Sequence, residues 1–217
     1  MTQKIDPEIK RSQALIKAER EIASRILSRR KLLPFIERMN PKYLAGWVHK
    51  DICERLERFS KDVAAGLSPR LMLLMPPRHG KSEIASKMFP PWHLGNHPDH
   101  EFIACSYNVS LAMGFSKKIK AIMDDPVYQT VFETRLDPEN RSSEEWGVHQ
   151  NSGGYVAAGV GGGITGKGAH ILVIDDPIKN AEEADSADVR EKLWEWYTST
   201  AYSRLAPGGG EIGRAHV

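Results

Sequence analysis

Long apolar runs and cysteines are both scarce in this 217-residue sequence. The most apolar stretches, 71–75 and 171–174, are far shorter than the ~20 apolar residues that a membrane-spanning helix requires, so we expect no membrane contact. The N-terminus does not have the pattern of a signal peptide. The two cysteines, Cys53 and Cys105, lack the spacing of metal or redox sites, which indicates buried free thiols in a reducing compartment.

A strong net charge is absent too, because 30 Lys and Arg are nearly balanced by 28 Asp and Glu. The charges are unevenly placed: residues 1–40 carry ten basic and five acidic side chains, whereas residues 175–195 carry eight acidic and three basic ones. The basic run of Arg29, Arg30 and Lys31 either contacts nucleic acid or is the solvated face of a helix, and both interpretations stay open. With 41% hydrophobic and 27% charged residues, the chain is typical of one soluble domain.

Apolar strands alternate with helical patterns along the chain. The arm over 1–40 is predicted to be helical and to be interrupted at Pro34 and Pro41, and a later helix is expected to run from Lys81 until the pair at 90–91 ends it. Three buried strands are predicted at 69–75, 101–107 and 170–176, and one hairpin around Asn-Ser-Gly-Gly is predicted at 144–160. The alternation predicts an α/β fold, with a mainly parallel sheet covered on both faces in a three-layer sandwich.

The first glycine of a phosphate-binding loop is missing from the stretch "MPPRHGKSE" at 75–83, where Met75 takes its place. The other requirements are present: an apolar strand precedes the loop, Lys81 can reach the β- and γ-phosphates, and the Ser82 hydroxyl can bind Mg²⁺. The alternative is a strand-to-helix turn with an incidental Lys-Ser pair. The ATP-binding residues predicted from this loop are Arg78, His79, Gly80, Lys81, Ser82 and Glu83.

Two adjacent carboxylates, Asp175 and Asp176, follow the most apolar strand, at the edge where parallel sheets bind ligands. Asp175 is predicted to hold Mg²⁺ together with Ser82, and Asp176 to polarise the attacking water. The alternative is a turn capped by the two acids. One strand, 101–107, lies between the two motifs in sequence, and we expect an ATP hydrolase with an inserted strand rather than a small-metabolite kinase.

Two further segments are ambiguous. The glycine-rich loop at 159–168 either approaches DNA or a neighbouring subunit's nucleotide, with Lys167 at its tip, or is a flexible connector. His93, His97 and His100 have loose ligand-like spacing, but Gly and Pro nearby predict a solvated loop, and we expect no metal there.

Three stretches resemble the large subunit of tailed-bacteriophage terminases, in the order found in that family. They are "PPRHGKSE" at 76–83, "GGYVAAGVGGGITGKGAHILVIDDPIKN" at 153–180 and "EEADSADVREKLWEWYTSTAYSRLAPGG" at 182–209. The resemblance implies a P-loop NTPase domain over 41–210, incomplete at its C-terminal end, behind the helical arm. The nuclease domain of the family is not expected in this chain.

The resemblance also implies roles for single residues. Such terminases share the departure at Met75, and Arg78 resembles their arginine that senses or stabilises the γ-phosphate, the alternative being a plain surface arginine. Asp175 matches their Mg²⁺ aspartate, and Asp176 stands where many relatives have a catalytic glutamate. The segment 43–49, with its Tyr, Trp and His, resembles the adenine-side element, or serves only helix packing.

The function implied is that of an ATPase motor module, in which ATP and Mg²⁺ are the cofactors and Asp176 and Arg78 are catalytic. Its implied partners are double-stranded DNA, the portal and procapsid, the small terminase subunit and further copies in a homo-oligomeric ring, all in the host cytoplasm. Two alternatives remain. One is another DNA-stimulated P-loop ATPase such as a helicase-like translocase, although no DExH-type box is present. The other is a non-hydrolysing assembly module.

The end of the sequence, "EIGRAHV" at 211–217, departs from the family, in which an apolar coupling strand follows this turn. Arg214 and His216 fit poorly in such a buried strand, and one back-translation of the peptide reads as a common sequencing-library adapter. We therefore expect 211–217 to be an adapter-derived tail, the native gene to continue into the nuclease domain, and the sheet to lack one strand. The alternative is a natural short ATPase with a polar tail.

Overall fold

The computed structural model describes residues 7–164 and 166–215. Its α-helices are α1 (Pro7–Arg30), α2 (Leu32–Met39), α3 (Trp47–Ala64), α4 (Phe89–Asn96), α5 (Val109–Asp124), α6 (Pro126–Val131), α7 (Ala181–Asp185) and α8 (Ala187–Trp196). Its strands are β1 (Arg70–Leu74), β2 (Glu101–Ser106), β3 (Leu136–Arg141), β4 (Glu145–Val148), β5 (Gly154–Gly159), β6 (Ala169–Asp175) and β7 (Leu205–Ala215). Two π-helical stretches, Glu83–Met88 and Tyr197–Ala201, and a short 3₁₀-helix, Tyr202–Arg204, complete it.

The strands form one seven-stranded sheet in the order β1-β7-β6-β2-β5-β4-β3. The five strands from β1 to β5 in this order are parallel to one another, and β4 and β3 extend the sheet in antiparallel fashion. The predicted hairpin around 151–154 is the β4–β5 pair, in which Val148 N–H donates to the carbonyl of Gly153 at 2.9 Å. The prediction of a mainly parallel sheet is confirmed.

Both faces of the central strands are covered, which explains why these strands read as continuous apolar runs. In β6, Ile171 and Val173 pack in the larger hydrophobic cluster with α2 to α6, whereas Leu172 and Ile174 pack in a second cluster with Trp196 at the end of α8. Side chains alternate between the two faces of a strand, so each face needs its own layer of helices. The predicted three-layer α/β sandwich is therefore confirmed.

The N-terminal arm is helical as predicted, but its break lies elsewhere. Helix α1 ends at Arg30, and Lys31 in extended conformation precedes α2, so Pro34 falls in the first turn of α2, where proline is tolerated. Glu57 on α3 fixes this junction, because it accepts from the backbone of Leu32 at 2.8 Å and pairs with Lys31 at 2.8 Å. The first six residues of the predicted arm lie outside the described residues.

Two expectations about the first strand and its helix are wrong. The Pro90–Pro91 pair does not end the helix that starts at 81, because the prolines fall in the first turn of α4, after the π-helical stretch Glu83–Met88. Strand β1 is not buried on both sides, since it forms the edge of the sheet. Met72 is 72% exposed and Leu74 is 53% exposed on the face opposite to buried Leu73.

The expectation that the sheet lacks a strand is wrong for this chain, because β7 continues to Ala215. Its close passage under α3 depends on Gly210, where a Cβ would come within 2.6 Å of the Phe59 ring. Strand β7 is also the inserted strand between β1 and β6, whereas 101–107 forms β2 on the far side of β6. The origin of 211–217 stays a prediction, and its last two residues, His216 and Val217, lie outside the described residues.

The structure also bears on the cysteines and on membrane-spanning segments. Cys53 and Cys105 are buried free thiols, as predicted, and burial raises the pKa of each to about 12. Within 7–164 and 166–215, none of the helices combines the length and the apolar character that crossing a membrane would take.

Candidate functional site

The loop after β1 makes its turn without the usual first glycine. Two residues take up the left-handed backbone region instead, Arg78 with φ of 64° and Gly80 with φ of 82°. Positive φ is unfavourable for a side chain such as that of arginine, so the surrounding contacts must hold this turn. One such contact comes from α3, where Nε2 of His49 lies 3.2 Å from the carbonyl oxygen of His79.

The loop encloses a concave space of about 210 Å³. Five of the six predicted ATP-binding residues line it, and the full lining consists of Pro76, Arg78, Gly80, Lys81, Ser82 and Glu83. The sixth, His79, is absent from the lining, and its Nδ1 lies 2.8 Å from the carbonyl of Pro77. The Glu83 carboxylate is engaged by Lys87, one turn along the same helix, at 2.9 Å. The structure therefore brings five of the six predicted residues to one concave space, and their role in ATP binding stays a prediction.

Lys81 is almost completely buried at the base of this space, with 2% of its surface exposed. Its Nζ donates to the carbonyl of Ala215 at the end of β7. Burial lowers the pKa of this ammonium group, the guanidinium of Arg214 lowers it further, and the carboxylates of Asp176 and Asp175 oppose both effects. The two motifs predicted from sequence thus meet at one place, although a strand separates β1 from β6.

The two predicted acids differ in their surroundings. Asp175 ends β6 and is 5% exposed, and burial raises the pKa of its carboxyl group, although the nearby Arg214 acts in the opposite direction. Asp176 is partly exposed and has a φ of 43°, which turns the chain sharply after the strand. Two backbone bonds hold this turn: Asp176 N–H donates to the carbonyl of Arg214, and Tyr107 N–H donates to the carbonyl of Asp176.

A cationic group already lies between the two predicted metal ligands. The Arg214 guanidinium donates from Nη2 to Oγ of Ser82 at 2.7 Å, and its Nη1 lies 3.0 Å from Oδ2 of Asp175. A serine hydroxyl and a carboxylate are oxygen ligands of the kind that Mg²⁺ prefers, so the donor set fits this ion. Within the described chain, only Nε of this guanidinium has no partner, because its two Nη atoms contact Ser82 and Asp175.

The segment predicted on the adenine side reaches the loop from α3. The rings of Tyr43 and His49 pack with centroids 5.7 Å apart, and a Cβ on Gly80 would lie 3.0 Å from Nε2 of His49. Trp47 is 82% exposed at the start of α3 and Leu44 is 88% exposed. The structure therefore brings Tyr43 and His49 to the cradle and leaves an apolar surface next to them.

Several segments with open interpretations lie elsewhere. Lys167 on the glycine-rich loop pairs with Glu145 of β4 at 2.5 Å. His93 is not in a solvated loop, because it is fully buried on α4, with Nε2 2.9 Å from Nδ1 of His100. The expectation of a solvated loop is wrong there, and the described residues contain no cluster of three or more His, Cys, Asp or Glu side chains arranged to hold a metal ion.

Sequence reasoning missed two serines that approach the predicted metal site. Ser106 ends β2 in direct register with Asp175 of β6, and Ser86 lies in the π-helical stretch after the loop. Both are buried, and both line one small cavity together with Asp175. The only available signal was a polar residue at the end of an apolar strand, because strand register cannot be read from the sequence.

Comparisons with known proteins agree with this architecture. The family model described as terminase large subunit, T4likevirus-type, N-terminal, matches residues 72–208, more than half of the chain. Among solved structures, that of the HK97 bacteriophage large terminase is similar, with a TM-score of 0.51 and 12% sequence identity. The match covers 86% of this chain but only 37% of the HK97 chain, and at this identity it shows the fold alone.

A sequence comparison with curated proteins gives no match. The family model and the predicted motifs nevertheless agree over the same residues, from β1 through the acidic strand to the first residues of β7. Because the family model covers most of the chain, the protein belongs to the terminase large-subunit family, in the part that the family description calls N-terminal.

Proposed function

We propose that this chain is the ATPase module of a viral DNA-packaging motor, which hydrolyses ATP with Mg²⁺ and couples hydrolysis to DNA translocation. One observation carries the proposal: the loop lysine, Lys81, lies buried beneath a concave space, with the carboxylates of Asp175 and Asp176 close enough to affect its charge. A buried cation that faces two acids at the C-terminal edge of a parallel sheet is the arrangement that nucleotide hydrolysis requires.

Each residue of the cradle has a distinct task in this proposal. Backbone N–H groups of residues 78–82 and the Lys81 ammonium would hold the β- and γ-phosphates, because the turn directs several donors at one space. Ser82 and Asp175 would hold Mg²⁺, which neutralises charge on the transferred phosphoryl group. Asp176 would accept a hydrogen bond from the attacking water, and exposed Arg78 would approach the γ-phosphate.

Adenine would bind at the start of α3, where Tyr43 and His49 approach Gly80 of the loop and where Trp47 is exposed. Hydrolysis by a ring of subunits commonly uses an arginine from a neighbour. Four arginines of this chain are candidates for this role. They are Arg135, Arg141, Arg190 and Arg204. Each makes a hydrogen bond within its own chain, and these contacts do not favour one arginine over the others.

The wider setting follows from membership of the family. Double-stranded DNA, the portal and procapsid, the small terminase subunit and a homo-oligomeric ring are the proposed partners, and the host cytoplasm is the proposed location. The HK97 match spans 37% of that terminase, so the activity of the whole protein is part of the proposal.

Two substitutions test the chemistry. Lys81→Ala should weaken ATP binding, because the cradle loses its buried ammonium, whereas Asp176→Asn should retain Mg·ATP and slow hydrolysis about 10²–10⁴-fold. Lys87→Ala is the matched control, since this lysine lies six residues further along and pairs with Glu83. Unchanged turnover in Asp176→Asn would remove this residue from the mechanism.

The packaging function is tested by measuring which partner stimulates ATP turnover. Stimulation by procapsids supports the packaging function, whereas stimulation by DNA alone indicates a different translocase. ATP binding without any turnover indicates a non-hydrolysing assembly module.

A further inference from the structure

Among the described residues, three with buried, unpaired oxygen atoms line one cavity beside the predicted metal site. Oγ of Ser86, Oγ of Ser106 and Oδ1 of Asp175 are all buried, and none has a hydrogen-bond partner within 7–164 and 166–215. A buried polar atom without a partner is costly, and such atoms are rare in folded proteins. Because the three residues line the same cavity, one bound molecule could accept hydrogen bonds from, or donate them to, all three oxygen atoms.

The backbone brings the three atoms together from three segments. Ser106 and Asp175 are register partners at the ends of the parallel strands β2 and β6, so both side chains project from the same face. Ser86 approaches this face from the π-helical stretch that continues the phosphate loop. All three residues line one cavity, whose remaining wall is mostly apolar, with Pro90, Ala104, Ala112, Phe115 and Val173 among its residues.

The size of this cavity selects its occupant. Its volume is about 10 Å³, which is close to the lower limit of roughly 10–15 Å³ for one water molecule and too small for a larger ligand. A buried water typically makes about three hydrogen bonds, and three oxygen atoms are available here. By contrast, buried Ser116 already bonds the indole N–H of Trp146 at 3.0 Å and needs no water.

We propose that Ser86 and Ser106 hold one water molecule against Oδ1 of Asp175 and that both are positioning residues for the metal site. The bonded Oδ1 would fix the carboxylate plane, and Oδ2 would then stay directed at the position next to Ser82. Because Ser86 lies on the helix that starts at the phosphate loop, the water also ties the acidic strand to the nucleotide cradle. This inference rests on the proposed Mg²⁺-dependent function.

The test compares the Mg²⁺ dependence of nucleotide binding in the full chain and in Ser106→Ala, with a fluorescent ATP analogue. Loss of a group that orients a metal ligand commonly weakens metal affinity about 10-fold to 100-fold, so the Mg²⁺ half-point should rise by this factor. Binding of the analogue in EDTA should stay unchanged. Ser116→Ala is the matched control: it also removes a buried serine hydroxyl, and it should lower the melting temperature without moving the Mg²⁺ half-point.

A second variant keeps the inference testable if Ser106→Ala does not fold. Ser86→Ala removes another ligand of the same water, and the double variant should raise the half-point little more than either single one, because one water is lost in each case. Strictly additive effects, or a shift no larger than in Ser116→Ala, would overturn the inference. Failure of the unmodified chain to bind the analogue with Mg²⁺ would instead refute the proposed function.

Discussion

Removing the charge of Arg214 should strongly destabilise the chain. The Arg214 side chain is 0% exposed and the Asp175 side chain is 7% exposed, and Nη1 of Arg214 lies 3.0 Å from Oδ2 of Asp175. At this distance the Coulomb attraction is about 5 kcal/mol with an effective dielectric constant of about 20, and desolvation of both groups offsets much of it. Arg214→Ala leaves Asp175 buried without its partner, so we expect the free energy of unfolding to fall by about 3–5 kcal/mol.

Urea unfolding of the 217-residue chain, followed by circular dichroism, measures this change. Arg141→Ala is the matched control, because Arg141 pairs with Asp124 at the surface, where both side chains are more than 40% exposed. An exposed pair contributes about 0–1 kcal/mol, so the control should differ little from the unmodified chain. Added Mg²⁺ with nucleotide should raise the stability of Arg214→Ala more than that of the control, since a bound cation can also replace the guanidinium between Ser82 and Asp175.

The double variant Arg214→Met/Asp175→Asn separates charge pairing from packing. Removal of both charges leaves neither of them buried alone, so it should be less destabilising than either single substitution. Equal losses in Arg214→Ala and Arg141→Ala would refute the reasoning, because a pair that costs no more to break than a surface pair is not buried. Additive losses in the double variant would do the same.

Three further predictions concern other parts of the chain. Gly95→Ala should lower the free energy of unfolding by about 1–3 kcal/mol, because the added Cβ would lie 2.5 Å from the Phe132 ring. Gly114 also lies in a helix but has open space around it, so Gly114→Ala should raise this free energy by up to about 1 kcal/mol, and thermal melts compare the two variants. If the basic arm contacts DNA, Arg30→Ala should reduce the salt slope of DNA binding by about one unit. Neutralising Arg29 and Lys31 as well should change the slope little further, because Arg29 already donates to the carbonyl of Val131 and Lys31 already pairs with Glu57. A change about three times as large in the triple variant would contradict this. Burial and the neighbouring histidines lower the pKa of His93. The free energy of unfolding should therefore fall as the pH drops below about 6.5, by up to about 1.4 kcal/mol per pH unit. Urea titrations at several pH values should show a weaker pH dependence of this free energy in His93→Gln.

Local patterns in the sequence were sufficient for the layers of the fold and for most of the cradle. Four apolar residues before Asp175 specified a strand buried on both faces, and β6 divides its side chains between two hydrophobic clusters as this pattern requires. Gly80, Lys81 and Ser82 could be placed because strand, turn and helix are consecutive there. These features depend on neighbours in sequence, which a pattern records directly.

Features that depend on distant residues were predicted less well. The exposed face of β1 follows from the position of this strand at the sheet edge, which the apolar residues around Met72 do not specify. Arg214 was judged unfit for a buried strand because its partner, Asp175, lies on another strand. The approach of Ser106 to Asp175 depends on register between β2 and β6, and register is a property of the folded sheet.

The position of β7 between β1 and β6 has a consequence for synthesis of the chain. Strand β1 is made early, around residue 70, yet its partner in the sheet extends to Ala215. Until β7 leaves the ribosome, β1 has no neighbour among the described strands, and the carbonyl that Lys81 binds does not yet exist. The phosphate loop therefore acquires its buried lysine only after residue 215 has been made, when a long-range parallel pairing joins β1 to the sheet. Such late pairing is slow and leaves apolar strands exposed, so a nascent chain of this kind depends on chaperones more than one whose first strands pair with each other.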